Sequence, residues 1–187
     1  MRSLIVALVI GTALTPLIEL RGVIAGATAG KIILFRMLIE IAVLIYVLWI
    51  LLGKKEFNAK EIWETLKHPV ALALTLFLLS MAISAAFSVN PGRAFWGTIE
   101  RGEGIFGVAH YLALFFFVVA FLTHKERLMF LKLFLVSGYV LVWYGFWEVL
   151  GGRSRISSYI GNAAFFAGHL LFLIAVSTAC DSYGKSG

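Results

Sequence analysis

Apolar residues gather into six long runs, at about 3–20, 32–52, 69–87, 105–122, 128–150 and 160–180, with short polar stretches between them. Each run reaches or approaches the roughly 20 apolar residues that cross a hydrocarbon core. Apolar positions within the runs are continuous and do not alternate with polar ones. In lipid, where water cannot satisfy the backbone, such a run is a helix that bonds to itself. The pattern predicts an all-α integral membrane protein, residues 1–187, with about six transmembrane helices in one polytopic bundle and no internal repeat. Run one also fits a signal peptide, with Arg2 ahead of it and small Ala27 and Ala29 after it. Pro16, Glu19 and Arg21 interrupt that pattern, so a retained span is the preferred expectation. Residues 53–68 carry Lys54, Lys55, Lys60 and Lys67. There Asn58 and Glu61 have the spacing of a helix start, and Phe57, Trp63 and Leu66 make a face for the membrane surface.

Composition strengthens the membrane assignment. The 187 residues are 61% hydrophobic and 14% charged, with a mean hydropathy of +0.95. A soluble domain has about 45–50% apolar and about 25% charged residues. A net charge of +6 could indicate nucleic acid in a soluble protein. Here the cations are scattered through short loops, which points to anionic membrane lipid and topology instead. The single cysteine, Cys180, excludes an internal disulfide and a multi-cysteine zinc site.

With the N-terminus in the cytoplasm, the inner segments hold Arg2, Lys54, Lys55, Lys60, Lys67, Lys125, Arg127 and Lys185. The outer ones hold Arg21, Lys31, Arg93, Arg101, Arg153 and Arg155. Lys132 and Arg36 lie inside spans, near the inner and outer ends respectively. Eight cations against six is a modest inside bias. The outer set is mostly arginine, whose planar fork matches phosphate oxygens.

Three stretches hold candidate chemistry. Residues 88–104 put the Asn90-Pro91-Gly92 turn signal beside Arg93, Phe95, Trp96, Glu100, Arg101 and Glu103. They make either an anchoring surface loop or an arginine site for an anionic lipid head. Arg36 and Glu40 lie four apart in the second run, spaced to pair on one helix face. Residues 151–169 place Arg153 and Arg155 among serines after Gly151-Gly152, and Asn162 opens the sixth run. Small Ala163, Ala164, Ala167 and Gly168 then suit close helix approach. His110 and His169 are candidates for helix-to-helix hydrogen bonds or proton carriage. Glu148, beside Trp147 at the end of the fifth run, is expected to stay solvated. No nucleotide loop, metal spacing or hydrolase triad is present in the sequence.

Three of these segments, in order, resemble the O-antigen ligase and polymerase family of bacterial envelope proteins. The first is Gly30-Lys31-Ile32-Ile33-Leu34-Phe35-Arg36 leading to Ile39-Glu40. The second is Ser88-Val89-Asn90-Pro91, Phe95-Trp96-Gly97, Glu100-Arg101 and Glu103-Gly104, with Ala94 where members often have serine. The third is Ser157-Ser158 with Gly161-Asn162, Phe165 and Ala167-Gly168, with Ala163 in place of the usual proline. The resemblance implies a glycosyltransferase of the bacterial inner membrane. It would take a glycan from undecaprenyl diphosphate at the outer face and pass it to an acceptor hydroxyl. Arginines would stabilise the departing diphosphate, with no metal or other cofactor. By position these are Arg93, Arg101, Arg153 and Arg155, then Arg36, with Glu40 and Asn162 in support. Members usually have many more spans, so the chain is expected to be an N-terminal portion. The catalytic residue would then lie beyond residue 187, and the chain alone would be inactive. A transporter or lipid-linked glycan flippase half, or a small scaffold protein, remains the alternative. Sugar, acceptor and oligomeric state stay open.

Overall fold

The computed structural model describes residues 1–18, 26–53, 59–98 and 104–185, and among them the chain is helical, with no strand. The α-helices are α1 (Arg2–Gly11), α2 (Gly26–Leu51), α3 (Ala59–Lys67), α4 (Pro69–Ala86), α5 (Pro91–Trp96), α6 (Ile105–Phe116), α7 (His124–Leu150) and α8 (Ala163–Lys185). Three helical stretches are long and apolar enough to cross a membrane: Ala29–Leu51, Pro69–Ala86 and His124–Leu150. Arg2–Leu17, Ile105–Phe121 and Ala163–Thr178 are apolar helices of shorter reach.

The first apolar run is not one continuous α-helix, for a local reason. After α1 the chain tightens into a 3₁₀ segment, Thr12–Leu17, which contains Pro16. Proline has no N–H and collides with the carbonyl four residues back, which here belongs to Thr12. The Thr15 hydroxyl donates to that carbonyl at 2.8 Å, so it does not go unsatisfied.

Two compact units form. The first joins Met1–Val9 to Phe35–Leu122, and the second joins Ile10–Leu34 to Thr123–Gly187. In the first unit aromatic contacts bind α2 to the chain around α6. Phe35 stacks on Tyr111 with ring centres 5.0 Å apart. Tyr46 meets Phe117 and Phe121 edge-on, and Trp49 also meets Phe121. Phe117–Phe121 is a π-helical turn, closed by Leu122 N–H donating to the Phe117 carbonyl at 3.1 Å. Ile39 and Ala42 are buried one turn apart on α2, and Ile5 and Val9 likewise on α1. Helix α4 is apolar nearly throughout, yet only Ala71 and Ala85 along it are buried.

Pro91–Trp96 are not an open turn, as the Asn-Pro-Gly signal suggested, but the short helix α5. The Asn90 side chain accepts from Arg93 N–H at 3.0 Å, and Pro91 takes the first helical position, where its missing N–H has no cost. Gly97, at φ +76°, ends the helix. Gly104 starts α6 so close to α5 that a Cβ there would collide with the backbone of Phe95, Trp96 and Gly97.

In the second unit the 3₁₀ segment and α8 both pack along α7. Thr123 and Glu126 form a reciprocal cap at the start of α7. The seam toward α8 is lined by small residues of α7. A Cβ on Gly138 would strike Leu173, and one on Gly145 would touch the Phe166 ring at 3.0 Å. The small residues expected to allow this approach, Ala164, Ala167 and Gly168 on α8, are exposed, and a Cβ on Gly168 would meet nothing within 4 Å. Close packing needs a small residue on only one of the two helices, and here α7 supplies it.

Candidate functional site

Glu148 organises the loop that follows α7. Its side chain is 4% exposed, so the expectation that it stays solvated is corrected. The helix ends in a Schellman turn. Gly152, at φ +75°, donates to the Val149 carbonyl, and Arg153 N–H donates to the Glu148 carbonyl. This turn brings the following residues back over the end of α7. The Glu148 carboxylate then accepts from Arg153 Nη1 at 2.7 Å, Ser157 N–H at 2.9 Å and Ser158 N–H at 2.8 Å. Ser158 is buried at φ +50°, and its hydroxyl donates to the Leu141 carbonyl at 2.7 Å. Lys31 donates to the Tyr159 carbonyl, and Tyr159 stacks on Tyr144. Asn162 accepts from Ala164 N–H at 2.9 Å and so caps α8.

The predicted arginines fall into different surroundings. Arg153 is committed to Glu148, although its own side chain is 63% exposed. Arg155 is exposed on the same pinned loop and has no hydrogen-bond or ion-pair partner among the described residues. Arg93 projects from α5. Its backbone N–H is held by Asn90, and its exposed guanidinium has no partner among the described residues. Arg101, with Glu100 and Glu103, lies outside the described residues, as do Asn58 and Phe57 of the expected surface helix start.

Arg36 and Glu40, expected to pair along one helix face, have these contacts in the first unit. The Arg36 guanidinium lies over the Phe106 ring, 5.2 Å from its centre, a cation–π contact. The Glu40 carboxylate faces His110 Nε2 at 3.1 Å. His110 is therefore the helix-to-helix hydrogen bonder that its position allowed, and its Nδ1 lies 2.6 Å from the Phe106 carbonyl. Beside the pair runs an apolar groove of about 420 Å³, lined by Val43, Leu44, Phe106, Ala109 and Ala113. In the second unit His169 packs on Phe134, with its buried Nε2 unpartnered among the described residues. Among the described residues no three His, Cys, Asp or Glu side chains converge as a metal site would require.

Sequence reasoning missed Glu148 as an organiser. A signal was present in the Gly-Gly break followed by arginine and two serines, since backbone donors crowded after a helix end call for an acceptor. Comparison of the chain with family models, with curated proteins and with solved structures finds no match in any of the three.

Proposed function

We propose that this chain is the six-span, donor-binding part of a glycosyltransferase of the bacterial inner membrane, with its N-terminus in the cytoplasm. It would hold an undecaprenyl-diphosphate glycan at the outer face. One observation carries the reading. The 151–162 loop is pinned from below by a buried carboxylate that occupies Arg153 and two backbone N–H groups, while Arg155 stays uncommitted. An exposed guanidinium on a fixed loop loses little freedom when a phosphate binds it, which favours tight anion binding. Arg93, on a capped helix with its guanidinium also uncommitted, supports the same reading. Arg101 joins the proposed set by sequence position alone. Arg153 acts mainly by holding the loop, and Arg36 by a cation–π contact at the first unit's apolar wall.

The test is binding of radiolabelled undecaprenyl diphosphate to the purified chain in phosphatidylcholine vesicles. Arg93→Ala and Arg155→Ala should each weaken binding about tenfold or more, since a hydrogen bond to a charged group contributes about 1.5–3 kcal/mol. Binding no stronger than to empty vesicles, or unchanged in both variants, rejects the proposal. The Glu40–His110 pair favours a second reading, a transporter or lipid-linked glycan flippase, because ionisable pairs within spans mark proton or substrate paths. Movement of the labelled lipid between leaflets, without transfer to an acceptor, would select it.

A further inference from the structure

Glu40 and Glu148 both lie in apolar helices, and their surroundings differ in kind. Glu148 is met by hydrogen-bond donors alone: a guanidinium and two backbone N–H groups. Glu40 is met by an imidazole. It stands near the middle of the Ala29–Leu51 stretch, where an ionisable group is costly unless it is paired or does something.

The proton inventory of this pair follows from its geometry. His110 Nδ1 faces the Phe106 carbonyl at 2.6 Å, and a carbonyl can only accept, so Nδ1 carries a hydrogen. Nε2 faces Glu40 Oε1 at 3.1 Å. A bare imidazole nitrogen and a bare carboxylate oxygen are both acceptors, and their lone pairs repel. One hydrogen therefore lies between them. Imidazolium with carboxylate and imidazole with carboxylic acid are two arrangements of that same proton.

We propose that Glu40 and His110 form one intramembrane proton-binding site, which takes up and releases a single proton, with Glu40 as the member that faces the groove between α2 and α6. The exposure is asymmetric: the His110 side chain is 8% exposed and that of Glu40 52%. His110 thus holds the proton from the buried side, and Glu40 is the member on the open side. When the proton leaves, two acceptors face each other and the contact between α2 and α6 opens at this level. Proton occupancy is thereby linked to how these two helices meet. Other titratable or charged groups on the unit's helices are few. Arg36 lies one turn away on α2 and Tyr46 lies further along it. Tyr111 adjoins His110 on α6, Arg93 is on α5 and Arg2 on α1. Helix α4 contributes none, and α3 carries Lys60, Glu61, Glu64 and Lys67. The site rests neither on glycan transfer nor on transport.

The experiment labels the full chain, reconstituted in phosphatidylcholine vesicles, with dicyclohexylcarbodiimide, an apolar reagent that attacks protonated carboxyls. Mass spectrometry reads the Glu40 and Glu148 peptides across a pH series. Glu40 should label and lose its labelling as pH rises, while Glu148, with both oxygens occupied as acceptors, stays unlabelled throughout. In His110→Gln the midpoint of Glu40 labelling should move by about one pH unit or more, tenfold in proton affinity. Glu40 that never labels, or labels equally at every pH, overturns the proposal in the wild-type chain alone. A midpoint that coincides in wild type and His110→Gln overturns it too, leaving a lone carboxyl with a structural neighbour. If His110→Gln cannot be purified, proton release on a pH step decides. The wild-type chain should release one proton that Glu40→Gln does not, and equal release from both overturns the proposal.

Discussion

A carboxylate placed among apolar helices without donors would cost several kcal/mol, and Glu148 avoids this by collecting three. Those donors are unequal. Two are backbone N–H groups held with the carboxylate at the end of α7, while Arg153 approaches from a largely exposed position. Glu148→Ala should therefore lower stability by about 3 kcal/mol, because the Ser157 and Ser158 N–H groups lose the oxygen that accepts from both. Arg153→Ala leaves both backbone bonds in place and should cost only about 1 kcal/mol. Denaturant or thermal unfolding in detergent checks the order, and equal losses would mean that the arginine carries the network. Glu148 was legible as a residue in a telling place but not as an organiser. Beside Trp147 at the end of a span it looks solvated, since its partners stand up to ten residues later and reach it only through the Gly152 turn.

Between elements, glycine sets what can touch. Gly104 lets the start of α6 lie against the backbone of α5, so Gly104→Ala must push the two apart. The expected loss is about 3 kcal/mol, the upper part of the usual range for overpacking. Gly152→Ala should cost about 1 kcal/mol, for a left-handed residue at an open helix end where a Cβ meets nothing within 4 Å. The same unfolding assay separates them, and a Gly104→Ala chain as stable as wild type would remove the close approach as an account of that glycine. The sequence suggested which residues are small but not which helix face they occupy. Hence Ala164, Ala167 and Gly168 were assigned the seam that Gly138 and Gly145 fill.

At the level of the whole molecule, helical class was legible because continuous apolar runs leave a chain in lipid little else to form. Span number was less so, because length in residues hides local geometry: Pro16 tightens the first run, and α6 passes into a π-helical turn. The α6 stretch decides the topology. Ile105–Phe121 is roughly 25 Å long at about 1.5 Å per residue, against a core of about 30 Å. A shortfall of that size is met by local thinning of the bilayer at modest cost. The stretch is therefore expected to cross, with Ala163–Thr178 crossing after it in the six-span arrangement. If only Ala29–Leu51, Pro69–Ala86 and His124–Leu150 cross, the chain after residue 104 reaches the opposite faces from those in the six-span arrangement. Single cysteines at Val89, Ser154, Lys60 and Lys125, in a Cys180→Ser background, separate the two cases with a membrane-impermeant maleimide. Six spans put Val89→Cys and Ser154→Cys on one side, labelled from outside, and Lys60→Cys and Lys125→Cys on the other. With three spans Val89 and Ser154 fall on opposite sides, and so do Lys60 and Lys125. That result would also end the proposed donor reading, because Arg93 and Arg155 would then face different compartments and could not both serve at the outer face.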